Sequence, residues 1–136
     1  MIYMDNCSTT RVAPEVLERM LPYFSEFFGN AASRHHRFGW QAAEAIEEAR
    51  FLVGNLLQVD AGEIVFTSGA TEAINLAIKG IWEHYKKKGN HIVTTTIEHK
   101  AVLDSCDWVQ RQGGKITYVP VDKNGLVDLQ QLEEAI

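Results

Sequence analysis

Three short stretches combine residue types that do chemistry with the spacing of a loop. Phe66-Thr67-Ser68-Gly69-Ala70-Thr71-Glu72 joins a β-rich apolar run to an amphipathic one, the pattern of a strand-to-helix turn. Its chemistry is anion binding. Small residues let the backbone approach a ligand, the first N–H groups of the following helix have no intrahelical acceptor, and the hydroxyls of Ser68 and Thr71 add donors. A phosphate fits such a turn; the competing reading is that Ser68 or Thr71 merely caps the helix. No Gly-Lys-Ser/Thr follows and only one glycine is present, so the segment is neither a Walker loop nor a dinucleotide fingerprint. Thr96-Ile97-Glu98-His99-Lys100 is a second turn of the same kind. A histidine there could stack on a planar ligand or move protons, since imidazoles titrate near neutrality in water; the alternatives are a surface residue or a helix cap. Lys100 either holds a cofactor or is simply solvated. The third stretch, Phe28 to Gly39, carries Arg34, His35, His36 and Arg37. It suits an anionic substrate, a partner subunit or an ordinary basic connector. It is a poor metal site, because adjacent histidines rarely converge on one ion and no matching Cys, His or Asp spacing accompanies them.

The elements that must hold these loops are readable from periodicity. After an extended start at Ile2–Met4, Leu17, Met20, Leu21, Phe24, Phe27 and Phe28 recur at helical spacing from Pro14 to a stop at Gly29–Asn30, with Pro22 predicting a kink or break. A surface helix is expected from about Trp40 to Leu57, with Ala42, Ala45, Ile46, Ala49, Val53, Leu56 and Leu57 on its apolar stripe. Ile64–Thr67 reads as a strand. A third helix follows, burying Ile74, Ala77, Ile78, Ile81, Trp82 and Tyr85 and closing at Lys86–Lys88 and Gly89. Ile92–Thr95 is a strand, Lys100–Gln112 a helix stopped by Gly113-Gly114, and Lys115–Val119 a strand. The fold class is therefore α/β: N-terminal helices, then a parallel β-α-β-α-β unit, which places ligands at the carboxyl ends of its strands. Asp122–Gly125 is a turn, and Asp128 with Gln131 suggests a capping pair for a last helix. That helix is still building an apolar face through Leu129, Leu132 and Ile136 where the chain ends, which suggests a fragment. The expected organisation is a loop and helices over 1–60 and an α/β segment over 61–136.

Composition narrows the function. The chain has 136 residues, 46% apolar and 23% charged, enough for one compact domain. Lys plus Arg number 13 against 18 Asp plus Glu, a net charge of −5, and no dense basic stripe appears, so nucleic acid is not an expected partner. Apolar runs fall short of the roughly 20 residues of a membrane span, and Met1–Asp5 lacks a signal-peptide layout. A cytoplasmic location is expected. Cys7 and Cys106 form neither a disulfide framework nor a zinc pair; Cys106 reads as a small core residue, while Cys7 sits in a polar loop.

Taken together, the loops resemble the N-terminal part of a pyridoxal-phosphate-dependent cysteine desulfurase of the NifS/IscS type. Glu63 to Glu72 followed by Asn75-Leu76-Ala77-Ile78-Lys79-Gly80 resembles the family's phosphate-loop signature, and Glu98-His99-Lys100-Ala101-Val102-Leu103 its second motif. Asp5, Thr9 and Thr10 are similar to its opening Asp-x-x-Ala-Thr-Thr, with Ser8 in place of alanine. Gly29, Asn30, Ser33, His36, Phe38 and Gly39 are similar to its Gly-Asn-Pro…Ser…His-x-Phe-Gly segment, with Ala31 in place of proline. The resemblance covers nearly the whole chain but about the first third of a typical member. It implies the large domain of the aspartate aminotransferase-like fold. It also implies pyridoxal 5'-phosphate as cofactor, held by the backbone at Ala70 and the backbone and hydroxyl of Thr71, with the His99 ring stacked on the pyridine and able to carry protons. No metal is implied.

The implied reaction converts L-cysteine to L-alanine: the cofactor acts as an electron sink, and a cysteine thiolate takes the sulfur as a persulfide for iron-sulfur cluster or other thio-cofactor synthesis. The implied partners are a second copy in a homodimer or a complementary C-terminal part, and a sulfur-acceptor scaffold protein. The family's Schiff-base lysine, the aspartate facing the pyridine nitrogen and the persulfide-forming cysteine have no counterpart within residues 1–136. The chain alone is therefore expected to bind the cofactor weakly and to be inactive. Competing readings are another enzyme of this fold, such as a selenocysteine lyase, a non-catalytic interaction module, and a plain phosphate-binding domain.

Overall fold

A computed structural model describes residues 2–136, which fall into two compact units dividing between Val65 and Phe66. The first unit holds helices α1 (Pro14–Met20), α2 (Pro22–Ser25) and α3 (Arg37–Leu57) and a 3-10 turn at Ala61–Glu63. Pro22 has no N–H to donate to the preceding turn, so the helical run is broken there, as its position predicts, into α1 and α2. The broken helix stops at Ser25 and never reaches Phe28.

Helix α3 starts at Arg37, ahead of the expected Trp40, because His36 caps it: its Nδ1 accepts from the Gly39 N–H at 3.2 Å. The loop before it folds tightly on itself. A Cβ on Gly39 would lie 1.8 Å from the Ser33 carbonyl oxygen, and one on Gly29 would lie 2.0 Å from that of Phe38. Trp40 Nε1 donates to the Arg34 carbonyl at 2.9 Å, which ties the start of the helix to the loop. A capping box between Asp60 and Glu63 closes the unit, and the Arg50 guanidinium donates to the Ile64 carbonyl.

The second unit is built on α4 (Ala70–Tyr85), β1 (His91–Thr95), α5 (Lys100–Arg111), β2 (Lys115–Val119) and α6 (Leu129–Ala135). Strands β1 and β2 pair in parallel, from His91 opposite Lys115 to Thr95 opposite Val119. The crossover helix α5 packs on α4 and on β2. Its buried face, Ala101, Ser105, Cys106 and Val109, forms the core with Trp82 and Val119. Ser105 is the buried polar member, and its hydroxyl is satisfied by the Ala101 carbonyl at 2.7 Å. Below the strands, Trp82 Nε1 donates to Asn90 Oδ1 at 3.0 Å, and Asn90 Nδ2 donates to the Gly113 carbonyl at 3.0 Å. Gly114 is packed so closely there that a Cβ would meet Val109 Cγ1 at 2.4 Å.

The structure departs from the expected pattern at several points. Ile64–Thr67 is not a strand: Ile64 has extended dihedrals, but the segment joins no ladder among the described residues, and a strand exists only through its partner. The central pattern realised is thus α-β-α-β. The stripe of α4 is buried only at Trp82, with Ile81 and Tyr85 exposed. Along α3 the buried positions are Gly39, Ala42 and Gly54, while Leu56 is 82% exposed. Asp128 does cap α6, accepting from the Gln130 and Gln131 amides, but the Gln131 side chain returns to the Asp128 carboxylate and not to its backbone. No helix among the described residues is long and apolar enough to cross a membrane.

Candidate functional site

The geometry of the second unit brings the turns that precede α4 and α5 to one end. Five residues, 86–90, link the end of α4 to the start of β1, and four, 96–99, link the end of β1 to the start of α5. Both helices therefore return antiparallel to β1 and begin at its carboxyl end. Their C-terminal halves meet through an edge-to-face contact of Trp82 with Trp108, centroids 5.8 Å apart, and through Lys79 over the Trp108 ring.

At the first turn, Gly69 is the N-cap of α4 and no side chain caps the helix. The simpler role foreseen for Ser68 and Thr71, capping, is thus not taken by either. The Ser68 N–H and hydroxyl both donate to Glu72 Oε2 at 2.6 Å, and the Thr67 hydroxyl donates to the Gly69 carbonyl. Those bonds, the hydroxyl's first and the amide's second, hold the Glu72 carboxyl below the usual carboxylate range. Asn75 Nδ2 donates to the Thr71 carbonyl at 2.8 Å, which stiffens the first turn from within. Ala70 and Thr71 are exposed, and a Cβ on Gly69 would touch nothing within 4 Å. Uncapped N–H groups at the positive end of a 16-residue helix favour a nearby negative charge.

At the second turn, His99 is the N-cap of α5, its Nδ1 accepting from the Ala101 N–H at 3.1 Å. Thr95 donates to Glu98 at 3.1 Å, and Lys100 is an exposed side chain paired with Asp104 at 2.8 Å, the solvated role. The basic loop lies in the other unit, where His36 caps α3. Neither Glu72 nor Asn75 was singled out in the sequence; the signal for Glu72 was its place three residues after the helix N-cap, where a carboxylate reaches back. Among the described residues no cluster of His, Cys, Asp or Glu is arranged to hold a metal. A groove of about 280 Å³ lies between β2 and α6 against Thr117, Val119, Pro120 and Gln131. Cys106 is fully buried and burial, reinforced by the Glu98 charge, pushes its thiol up, whereas Cys7 is exposed.

Comparison with known proteins places this α/β unit. The family model described as Aminotransferase class-V matches residues 2–136, so the chain belongs to the class-V aminotransferase family. It is 55% identical over 135 residues to the cysteine desulfurase IscS of Rickettsia massiliae (strain Mtu5), covering 99% of this chain and 33% of that protein. Among solved structures, a NifS-like protein superposes with a TM-score of 0.91 at 44% identity, covering 99% of this chain and 37% of the other. SspA in complex with cysteine superposes with a TM-score of 0.87 at 40% identity, covering 98% and 38%. The chain thus spans about a third of the length of the curated relatives it matches.

Proposed function

We propose that this chain is the N-terminal part of a pyridoxal-phosphate-dependent cysteine desulfurase, with residues 61–136 opening the cofactor-binding large domain. The observation that carries the reading is the uncapped, exposed start of α4 at Ala70 and Thr71, at the same end of the unit as His99. The Ala70 and Thr71 amides, with the Thr71 hydroxyl, would hold the phosphate, the charge that a helix N-terminus favours. The His99 ring would cover one face of the pyridine and keep water from it. The bound cofactor supplies an electron sink for the carbon carrying the amino group.

The substrate in this reading is L-cysteine, whose sulfur passes to a protein persulfide and then to an acceptor for iron-sulfur cluster or other thio-cofactor synthesis. A cytoplasmic homodimer, or association with a complementary C-terminal part, completes the assembly. Relatives named cysteine desulfurase and a solved relative described in complex with cysteine support this choice of substrate.

Titrating the chain with pyridoxal phosphate, followed by quenching of tryptophan fluorescence, tests the proposal. Weak binding is expected, with competition by inorganic phosphate. Thr71→Ala should weaken it about tenfold, the scale of one hydrogen bond to a charged group. Equal affinity in the variant would refute the site. Incubation with cysteine should yield no alanine above the rate of free cofactor.

A further inference from the structure

A turn outside the residues proposed to hold the cofactor carries chemistry of its own. Asn124 is followed by Gly125, whereas Asn6, Asn30, Asn55, Asn75 and Asn90 are each followed by a residue with a side chain. The side-chain carbonyl carbon of an asparagine can close a five-membered ring with the next backbone nitrogen, and glycine leaves that nitrogen free of a neighbouring Cβ. Residues 122–126 are all exposed and lie in neither helix nor strand, between the antiparallel bridge partners Val121 and Val127. Gly125 has a φ of 83°, the left-handed conformation that glycine adopts without strain. We propose that the Asn124-Gly125 pair is a modification site, at which Asn124 exchanges its side-chain amide for a carboxylate and becomes an aspartyl or isoaspartyl residue by reaction with water alone.

The atoms balance without oxidation or reduction. The Gly125 nitrogen bonds to Asn124 Cγ, the Cγ–Nδ2 bond breaks, and Nδ2 leaves as ammonia with the proton that Gly125 gives up. Water then opens the cyclic imide at one of its two carbonyls. One opening restores the normal main chain with an aspartate; the other routes the main chain through Cβ and Cγ as isoaspartate. Two hydrogen bonds oppose the first step: the Gly125 N–H donates to the Asp122 carbonyl at 3.0 Å, and Asn124 Nδ2 donates to Asp122 Oδ2 at 3.3 Å. Both lie at the surface, where water replaces them as the turn opens. Other asparagines are held harder. Asn55 and Asn75 sit inside α3 and α4, where the next N–H belongs to the helical ladder, and Asn90 uses both side-chain atoms, accepting from Trp82 and donating to Gly113.

The product undoes the turn. Amides of Leu126 first and Asn124 second hold the Asp122 carboxyl below its usual range, so a carboxylate at 124 would meet a like charge where Nδ2 now donates. Isoaspartate also lengthens the main chain by a methylene, which draws the Leu126 N–H away from Asp122 Oδ1, now 2.9 Å distant.

Incubating the folded chain at neutral pH, then digesting it in acid for mass spectrometry, tests the proposal. The expected result is the amide-to-acid mass gain at Asn124 ahead of every other asparagine. Methyl transfer from S-adenosylmethionine by an isoaspartyl carboxyl methyltransferase should accompany it. Asn124→Gln should lose both signals, because the longer side chain cannot close the five-membered ring. A synthetic peptide of residues 120–128 gives the rate without the fold, and the chain should convert within about tenfold of it, the scale of one exposed hydrogen bond. Slower conversion, earlier conversion at another asparagine, or methylation that survives Asn124→Gln overturns the proposal. The converted chain, separated by its added negative charge, should exchange the Leu126 amide faster than the fresh chain, and equal exchange overturns the loss of the turn.

Discussion

Residues at the helix starts carry most of what this chain can do. Sequence reasoning found His99 from its place after a strand but left its role open among stacking, proton transfer and capping. Histidine is absent from the strongly preferred N-cap types, so nothing local reveals that a ring nitrogen will serve as the cap. The glycines of the basic loop were read only as a helix stop and as matches to a motif, and their steric meaning emerges from the backbone. Gly39 lies so close to the Ser33 carbonyl that any side chain must displace main chain. Gly39→Ala should therefore cost more than the roughly 1–3 kcal/mol of ordinary overpacking, measured by urea unfolding of the chain. Gly62→Ala, where a Cβ meets nothing within 4 Å, is the control and should stay within about 1 kcal/mol. Equal effects would mean the loop is loose.

At the scale of elements, legibility followed how local the determinant is. Strand β2 was read at Lys115–Val119 with the boundaries it has, because β-branched residues sit between a glycine pair and a proline. The break at Pro22 was equally local. Ile64–Thr67 shows the opposite case: its residues favour extension, but pairing is decided by chain far away in sequence. Helix α4 adds a pH dependence to this picture. Hydrogen bonds from Ser68 hold the folded Glu72 carboxyl below its ordinary range, so their stabilisation is complete above that range and is lost as the pH falls through the lowered folded value. Amide exchange at Ser68 should accelerate relative to the body of α4 over that acid window. Glu72→Gln should remove the pH step; a variant that keeps the step would point to another group.

The whole molecule is marked by what it leaves uncovered. The second unit buries a small core around Val109, Cys106 and Ser105, while many large apolar side chains along α1, α2 and α3 remain exposed. The two thiols report on this directly. Cys7 should react at once with a thiol reagent, whereas Cys106, with no exposed surface and a raised thiol, should react only as the unit opens. Equal reactivity in the absence of denaturant would show that the core around α5 does not hold by itself. The curated relatives it matches are about three times as long as this chain.

Strands β1 and β2 have each other for ladder partners among the described residues, and each therefore turns one row of amides and carbonyls outward. Such a ribbon is a template: any extended peptide of compatible polarity can zip onto its rim, including the same segment of a neighbouring molecule. Self-association that grows with polypeptide concentration is the expected outcome, and light scattering across a dilution series reads it.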